Sequence, residues 1–180
     1  MKATKISSAV LAAFAILSFA VPSFGSDAQT SATAAAGNGR SGTAAATAHY
    51  EGDAGFARTE TRTGAVNIAR AVAVGIDEHG LSFSLSTAIA PKNGRAIAAN
   101  FNLSIDADGG SAHSVGKTVS TGGAARSASA GGSTSTGSNG SVAASRASGS
   151  TSFGGVVRAE TRSEQHRAQP VVVCRVIRVR

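Results

Sequence analysis

From Ala65 to Ile105, large apolar residues alternate with very small ones through three successive segments. Val66, Ile68, Val72, Val74 and Ile76 fall on even positions, with Ala65, Asn67, Ala69, Ala71, Ala73 and Gly75 on the odd ones. After Asp77-Glu78-His79-Gly80 the phase reverses, so that Leu81, Phe83, Leu85 and Ile89 are large and Ser82, Ser84, Ser86 and Ala88 are small. Ile97, Phe101, Leu103 and Ile105 continue this phase against Ala98, Asn100, Asn102 and Ser104. Side chains on a strand point alternately to opposite faces, so a period of two predicts strands with one greasy face and one flat, small-residue face. The expectation is an antiparallel meander whose greasy face is the core. The flat face is then left for a partner, a second layer or solvent.

Register follows from placing large beside large on one face. Pairing Ile76 with Leu81 brings Val74 beside Phe83, Val72 beside Leu85 and Ile68 beside Ile89, with Arg70 opposite Thr87 as the polar break. For the next hairpin a two-residue Asn93-Gly94 turn would set Ile89 against Ala98 and is rejected. A three-residue loop places Leu85 beside Leu103, whereas a wider one places Ile89 beside Ile97 and Leu85 beside Phe101. Face matching leaves both open.

The flanks keep the period with other chemistry. Phe56, Arg58, Glu60 and Arg62 alternate with Ala57, Thr59 and Thr61, and Val156, Arg158, Glu160, Arg162 and Glu164 alternate with Val157, Ala159, Thr161 and Ser163. Arg-x-Glu-Thr-Arg therefore occurs twice, at Arg58 to Arg62 and at Arg158 to Arg162, which predicts two related strands flanking the meander. Turn clusters recur along the chain, among them Gly37-Asn38-Gly39, Asp77 to Gly80 and Asp106 to Gly110. The fold class read from these signals is all-β, an antiparallel meander of sandwich or solenoid type. Only Ala32 to Ala36 carries helical propensity, without an apolar stripe to dock. Gly122 to Gly149 is nearly all Gly, Ser, Ala and Thr, a composition of flexible linkers. With Ala28 to Ala48, it is also the only material that could cover the flat face.

Lys2 and Lys5, an apolar run from Ile6 to Val21 and small residues at Ser23 to Gly25 have the layout of a secretory signal peptide over residues 1–25. The organisation expected after it is a β meander over 26–121, a small-residue linker or strands over 122–152, and basic strands over 153–180. The expectation is an exported protein, at the cell surface, in the periplasm or outside the cell, with no membrane span once the leader is removed. Cys174, the single cysteine, is expected to be a buried thiol.

The formal charge is +7, from 17 Lys and Arg against 10 Asp and Glu. Arg158, Arg162, Arg167, Arg175, Arg178 and Arg180 lie after Phe153 with only Glu160 and Glu164 to offset them, a cluster that would suit a polyanion.

Motifs with catalytic associations fail on context. Gly37-Asn38-Gly39-Arg40-Ser41-Gly42 has dinucleotide-loop spacing but follows an Ala run, with no apolar strand before it. Ser111 to Thr118 approximates a phosphate loop but lacks its first glycine and the following helix, and Ser114-Val115-Gly116-Lys117 lacks the partner motifs of serine acyltransferases. Asp106-Ala107-Asp108-Gly109 starts like a calcium loop, yet Gly110 and Lys117 stand where carboxylates are needed. His49, His79, His113 and His166 are dispersed, without paired spacing for a metal. No catalytic, cofactor or metal residues and no specific nucleic-acid site are therefore assigned. The function expected is a non-enzymatic structural or matrix protein self-associating through the flat Ala/Ser/Gly face. The alternative is an extracellular module binding a polyanion or polysaccharide.

Overall fold

The strand period is realised along the chain in the computed structural model, which describes residues 28–39, 42–137, 140–152 and 154–167. Strands β1 (Gln29–Gly37), β2 (Thr43–Glu51), β3 (Ala54–Arg62), β4 (Val66–Asp77) and β5 (Gly80–Pro91) are followed by β6 (Ala96–Asp106), β7 (Ser111–Thr121), β8 (Arg126–Ser135), β9 (Val142–Thr151) and β10 (Val156–His166). They form two antiparallel sheets, a four-stranded one ordered β2-β1-β8-β9 and a six-stranded one ordered β10-β7-β6-β5-β4-β3. Among the described residues no helix forms, and Ala32 to Ala36 lie within β1 rather than in a helical turn. Strand pairing gives these alanines both their hydrogen bonds and a covered face, which outweighs intrinsic propensity.

The meander has the register that face matching requires. Ile76, Val74, Val72 and Ile68 stand opposite Leu81, Phe83, Leu85 and Ile89. The second hairpin takes the wider loop, placing Ile89 opposite Ile97 and Leu85 opposite Phe101. Asp106 to Gly110 is a turn between β6 and β7, closed by Gly109 N–H donating to the Asp106 carbonyl at 3.0 Å, with Gly109 at φ +87° where a side chain would be strained. His79 also sits in a turn, whose His79 and Gly80 N–H groups donate to Asp77 Oδ1 at 2.8 and 2.9 Å.

The orientation of the sheet corrects the expected core. The interior is the small-residue face: Ala69, Ala73, Ser84 and Asn102 are all 0 % exposed, whereas Leu85 and Phe101 on the greasy face are 40 % and 37 % exposed. The cause lies in the covering layer. Gly122 to Gly149, one of the two segments able to cover the flat face, supplies β8 and most of β9, and Ala28 to Ala48 supplies β1 and most of β2. A layer of Ala, Gly and Ser cannot reach across the usual sheet spacing of about 10 Å to fill gaps between bulky side chains. It can nest against another small-residue face. Ala34, Ala36, Ala128 and Ala130 of the smaller sheet form one cluster with Ala69, Ala88, Ala90, Ala96 and Ala98 of the larger.

So polar an interior needs internal hydrogen bonds. Ser82 donates to the Ala28 carbonyl at 2.7 Å, Ser86 to Ala130 at 2.6 Å, Ser104 to Ser135 at 2.7 Å and Ser120 to Ser127 at 2.7 Å. Each bond runs from the large sheet to the main chain on the opposite side. A hydroxyl one carbon from the backbone reaches that far only where the sheets approach closely.

The repeated Arg-x-Glu-Thr-Arg segments take equivalent places. β1 and β8 pair at the centre of the small sheet, β2 and β9 lie outside them, and β3 and β10 are the two edges of the large sheet. β8 lies between β1 and β9, so the stretch expected as a linker or small-residue strands forms strands, and these share one sheet with β1 and β2. The leader expected over residues 1–25, with Cys174, Arg175, Arg178 and Arg180, lies outside the described residues.

Candidate interaction surface

With the small face sealed inside, the outer face of the six-stranded sheet carries the large side chains. Register turns it into a set of rows running across the strands. Phe56, Val74, Phe83, Leu103, His113 and Glu164 form one row. The next is Arg58, Val72, Leu85, Phe101, Val115 and Arg162. Below it run Glu60, Arg70, Thr87, Ala99, Lys117 and Glu160, and then Arg62, Ile68, Ile89, Ile97, Val119 and Arg158.

Two apolar rows are thus capped by arginine at both ends, and a charged row between them is capped by glutamate at both ends. The repeat seen in the sequence is what places Arg58, Glu60 and Arg62 on one edge and Arg158, Glu160 and Arg162 on the other. Within the field the Phe83 and Phe101 rings meet at 6.2 Å between centroids, tilted by 52°. Phe56 is 51 % exposed, and Ile76, Ile97, Ile105 and Val115 are exposed as well. Large exposed apolar patches are a general feature of surfaces at which proteins make contacts.

The charges on this face are partly paired among themselves. Arg70 lies 3.9 Å from Glu60, and Arg162 pairs closely with Glu164. Of the arginines expected to meet a polyanion, Arg158 and Arg162 lie on β10 facing outward and Arg167 is exposed just beyond it. Arg175, Arg178 and Arg180 fall outside the described residues. Sequence reasoning stopped short of Phe56, Arg58, Arg62, Arg70 and Lys117 as members of the same surface. The signal available for them was the register, extended one strand further at each edge.

The histidines are less scattered than their positions in the chain imply. β7 and β10 are neighbours, so His113 stands opposite Glu164, with Nε2 3.6 Å from Oε2. The His113 and His166 rings stack at 6.5 Å between centroids, inclined by 19°. His79 remains apart in its turn, 3.7 Å from Glu78.

The other motifs take structural places. Ser111 to Thr118 belongs to β7, where Ser114 and Thr118 point inward and Lys117 outward, so the Ser-x-x-Lys pair lies on opposite faces. A cleft of about 150 Å³ lined by Ala112, Val142, Ala143, Ser163, Glu164 and Gln165 is smaller than the roughly 300–1,000 Å³ of small-molecule sites. Comparison with protein-family models, with curated proteins and with solved structures gives no match to this chain.

Proposed function

We propose that this chain is an exported, non-enzymatic structural protein of the cell surface or matrix that assembles with copies of itself through the outer face of its six-stranded sheet. The observation that carries the reading is the inversion of the sandwich: alanine and serine fill the interior while valine, leucine, isoleucine and phenylalanine cover one exterior face. A chain selected only to fold would gain more from burying the larger side chains, since burial is worth about 25 cal/mol per Å² of apolar surface. Placing them outside reserves that free energy for association.

The face expected to serve this purpose, the flat one, is occupied by the second sheet, so the contact moves to the opposite side. The edges favour a second copy as the partner. Arginine and glutamate alternate along both β3 and β10, so an edge offset by two residues against another copy sets unlike charges together. Light scattering of the purified chain over a rising concentration series tests this, with mass expected to increase. A strict monomer throughout would contradict it.

A second reading has its own observation. The outer face carries Arg58, Arg62, Arg70, Lys117, Arg158 and Arg162 against Glu60, Glu160 and Glu164, a cationic excess suited to an acidic polysaccharide or other polyanion. Salt-dependent retention on a sulfated-polysaccharide column by a chain that stays monomeric would favour it over assembly.

A further inference from the structure

β7 and β10 run side by side with His113 directly opposite Glu164, and His166 lies two residues further along the same strand. Residues two apart share a face, so all three side chains project outward at one corner of the six-stranded sheet. Opposite His166 the register places Ser111, whose short side chain leaves the imidazole room to lean toward His113. The two imidazole rings stack at 6.5 Å between centroids. One ligand-type atom from each of the three, imidazole nitrogen or carboxylate oxygen, lies within 4.8 Å of the other two.

We infer that His113, Glu164 and His166 form a binding site for a divalent transition ion of the Zn²⁺ type. Two imidazoles and a carboxylate are a donor set that Zn²⁺ takes at about 2.0–2.2 Å, which corresponds to a ligand-to-ligand separation of about 3.4 Å in a tetrahedron. His113 Nε2 and Glu164 Oε2, 3.6 Å apart, already stand near that spacing, and the donor atoms of all three residues lie within 4.8 Å of one another, a gap that side-chain rotation on a fixed backbone can close. Nitrogen donors favour Zn²⁺, Ni²⁺ and Cu²⁺ over Ca²⁺ and Mg²⁺, which seek all-oxygen shells.

Glu164 divides its two oxygens. Oε1 pairs with the Arg162 guanidinium while Oε2 faces His113 Nε2 at 3.6 Å, so Arg162 holds the carboxylate in place and leaves its second oxygen toward the imidazoles. The guanidinium also opposes a cation by charge, which sets the affinity below that of an unopposed site. His113 and Glu164 are about one-third exposed as side chains. Three protein ligands leave a tetrahedral ion one position for water or an outside donor.

Calorimetric titration of the purified chain with Zn²⁺ alone tests the site, alongside imidazole NMR signals followed through the same titration. One Zn²⁺ per chain is expected, with only the His113 and His166 resonances moving and no comparable response to Ca²⁺ or Mg²⁺. His113→Ala and His166→Ala should each weaken binding by about tenfold or more. Cys174→Ser should not change it. Far-UV circular dichroism confirms that each variant is folded, and His166 is exposed, so its loss leaves the interior untouched. Zn²⁺ binding that survives both histidine substitutions, or no binding at a hundredfold excess of Zn²⁺ over protein, would overturn the assignment.

Discussion

The Ser86 hydroxyl on β5 donates to the carbonyl oxygen of Ala130 on β8 at 2.6 Å, joining the two sheets through the middle of the interior. Both residues are buried, and Ala130 belongs to the alanine cluster that packs against β5. Ser86→Ala keeps the volume but removes the donor, and should cost about 1 kcal/mol. Ser86→Val adds bulk where the sheets nest and should cost more. Urea denaturation of the two variants checks the order, and an equal cost would mean that the sheets are not in close contact here.

The inverted sandwich predicts an unusual mutational contrast. Ala88 is fully buried among Ala34, Ala36, Ala128 and Ala130, so Ala88→Val should overpack the interior and cost about 1–3 kcal/mol. Leu85 is its neighbour on the same strand but faces outward, and Leu85→Thr should cost within about 1 kcal/mol. Thermal melts of both variants distinguish this arrangement from a core built on the large side chains, for which the order would reverse.

Gly132 on β8 tests how near the sheets come. A methyl group there would meet the Asn102 side-chain amide and the Ala144 carbonyl, so Gly132→Ala forces the interior apart and should cost several times what an exposed site does. Gly64 is the matched control, because a methyl added there has open space around it. Comparable melting temperatures for Gly132→Ala and Gly64→Ala would argue against the close approach.

Much of this was legible in the chain, and the part that was not has a physical cause. Period two from Val66 to Ile105 predicted the strands, and matching Ile76 to Leu81 predicted the β4 to β5 register residue by residue. The choice between Leu103 and Phe101 as the partner of Leu85 stayed open because either loop puts large beside large; the wider loop is the one formed. Which face lies inside was not legible from the meander itself. Val72 and Ala73 alternate identically whichever side is covered, and the outcome depends on β1 and β8, whose Ala and Gly fit only the small side. The His113, Glu164 and His166 group escaped notice because β7 and β10 are far apart in sequence, and no local spacing announces a contact created by strand order.

The charged edges separate assembly from polyanion binding. Arg158→Gln with Arg162→Gln removes two cations from β10, and Arg58→Gln with Arg62→Gln does the same on β3. If a polyanion is the partner, each pair should lower retention on a sulfated column and flatten its salt dependence. If copies of the chain are the partner, retention is weak from the outset, and the substitutions instead weaken self-association at low salt.

The outer apolar face as the contact surface is tested most directly by Leu85→Lys combined with Phe101→Lys, two register partners at its centre. Both are already partly exposed, so the double variant should keep the wild-type circular dichroism spectrum and cooperative melt. Sedimentation velocity over a concentration series is the measurement. Association of the wild-type chain and a single monomeric boundary for the variant are the predicted result. Equal sedimentation of the two, whether both monomeric or both associated, would contradict it.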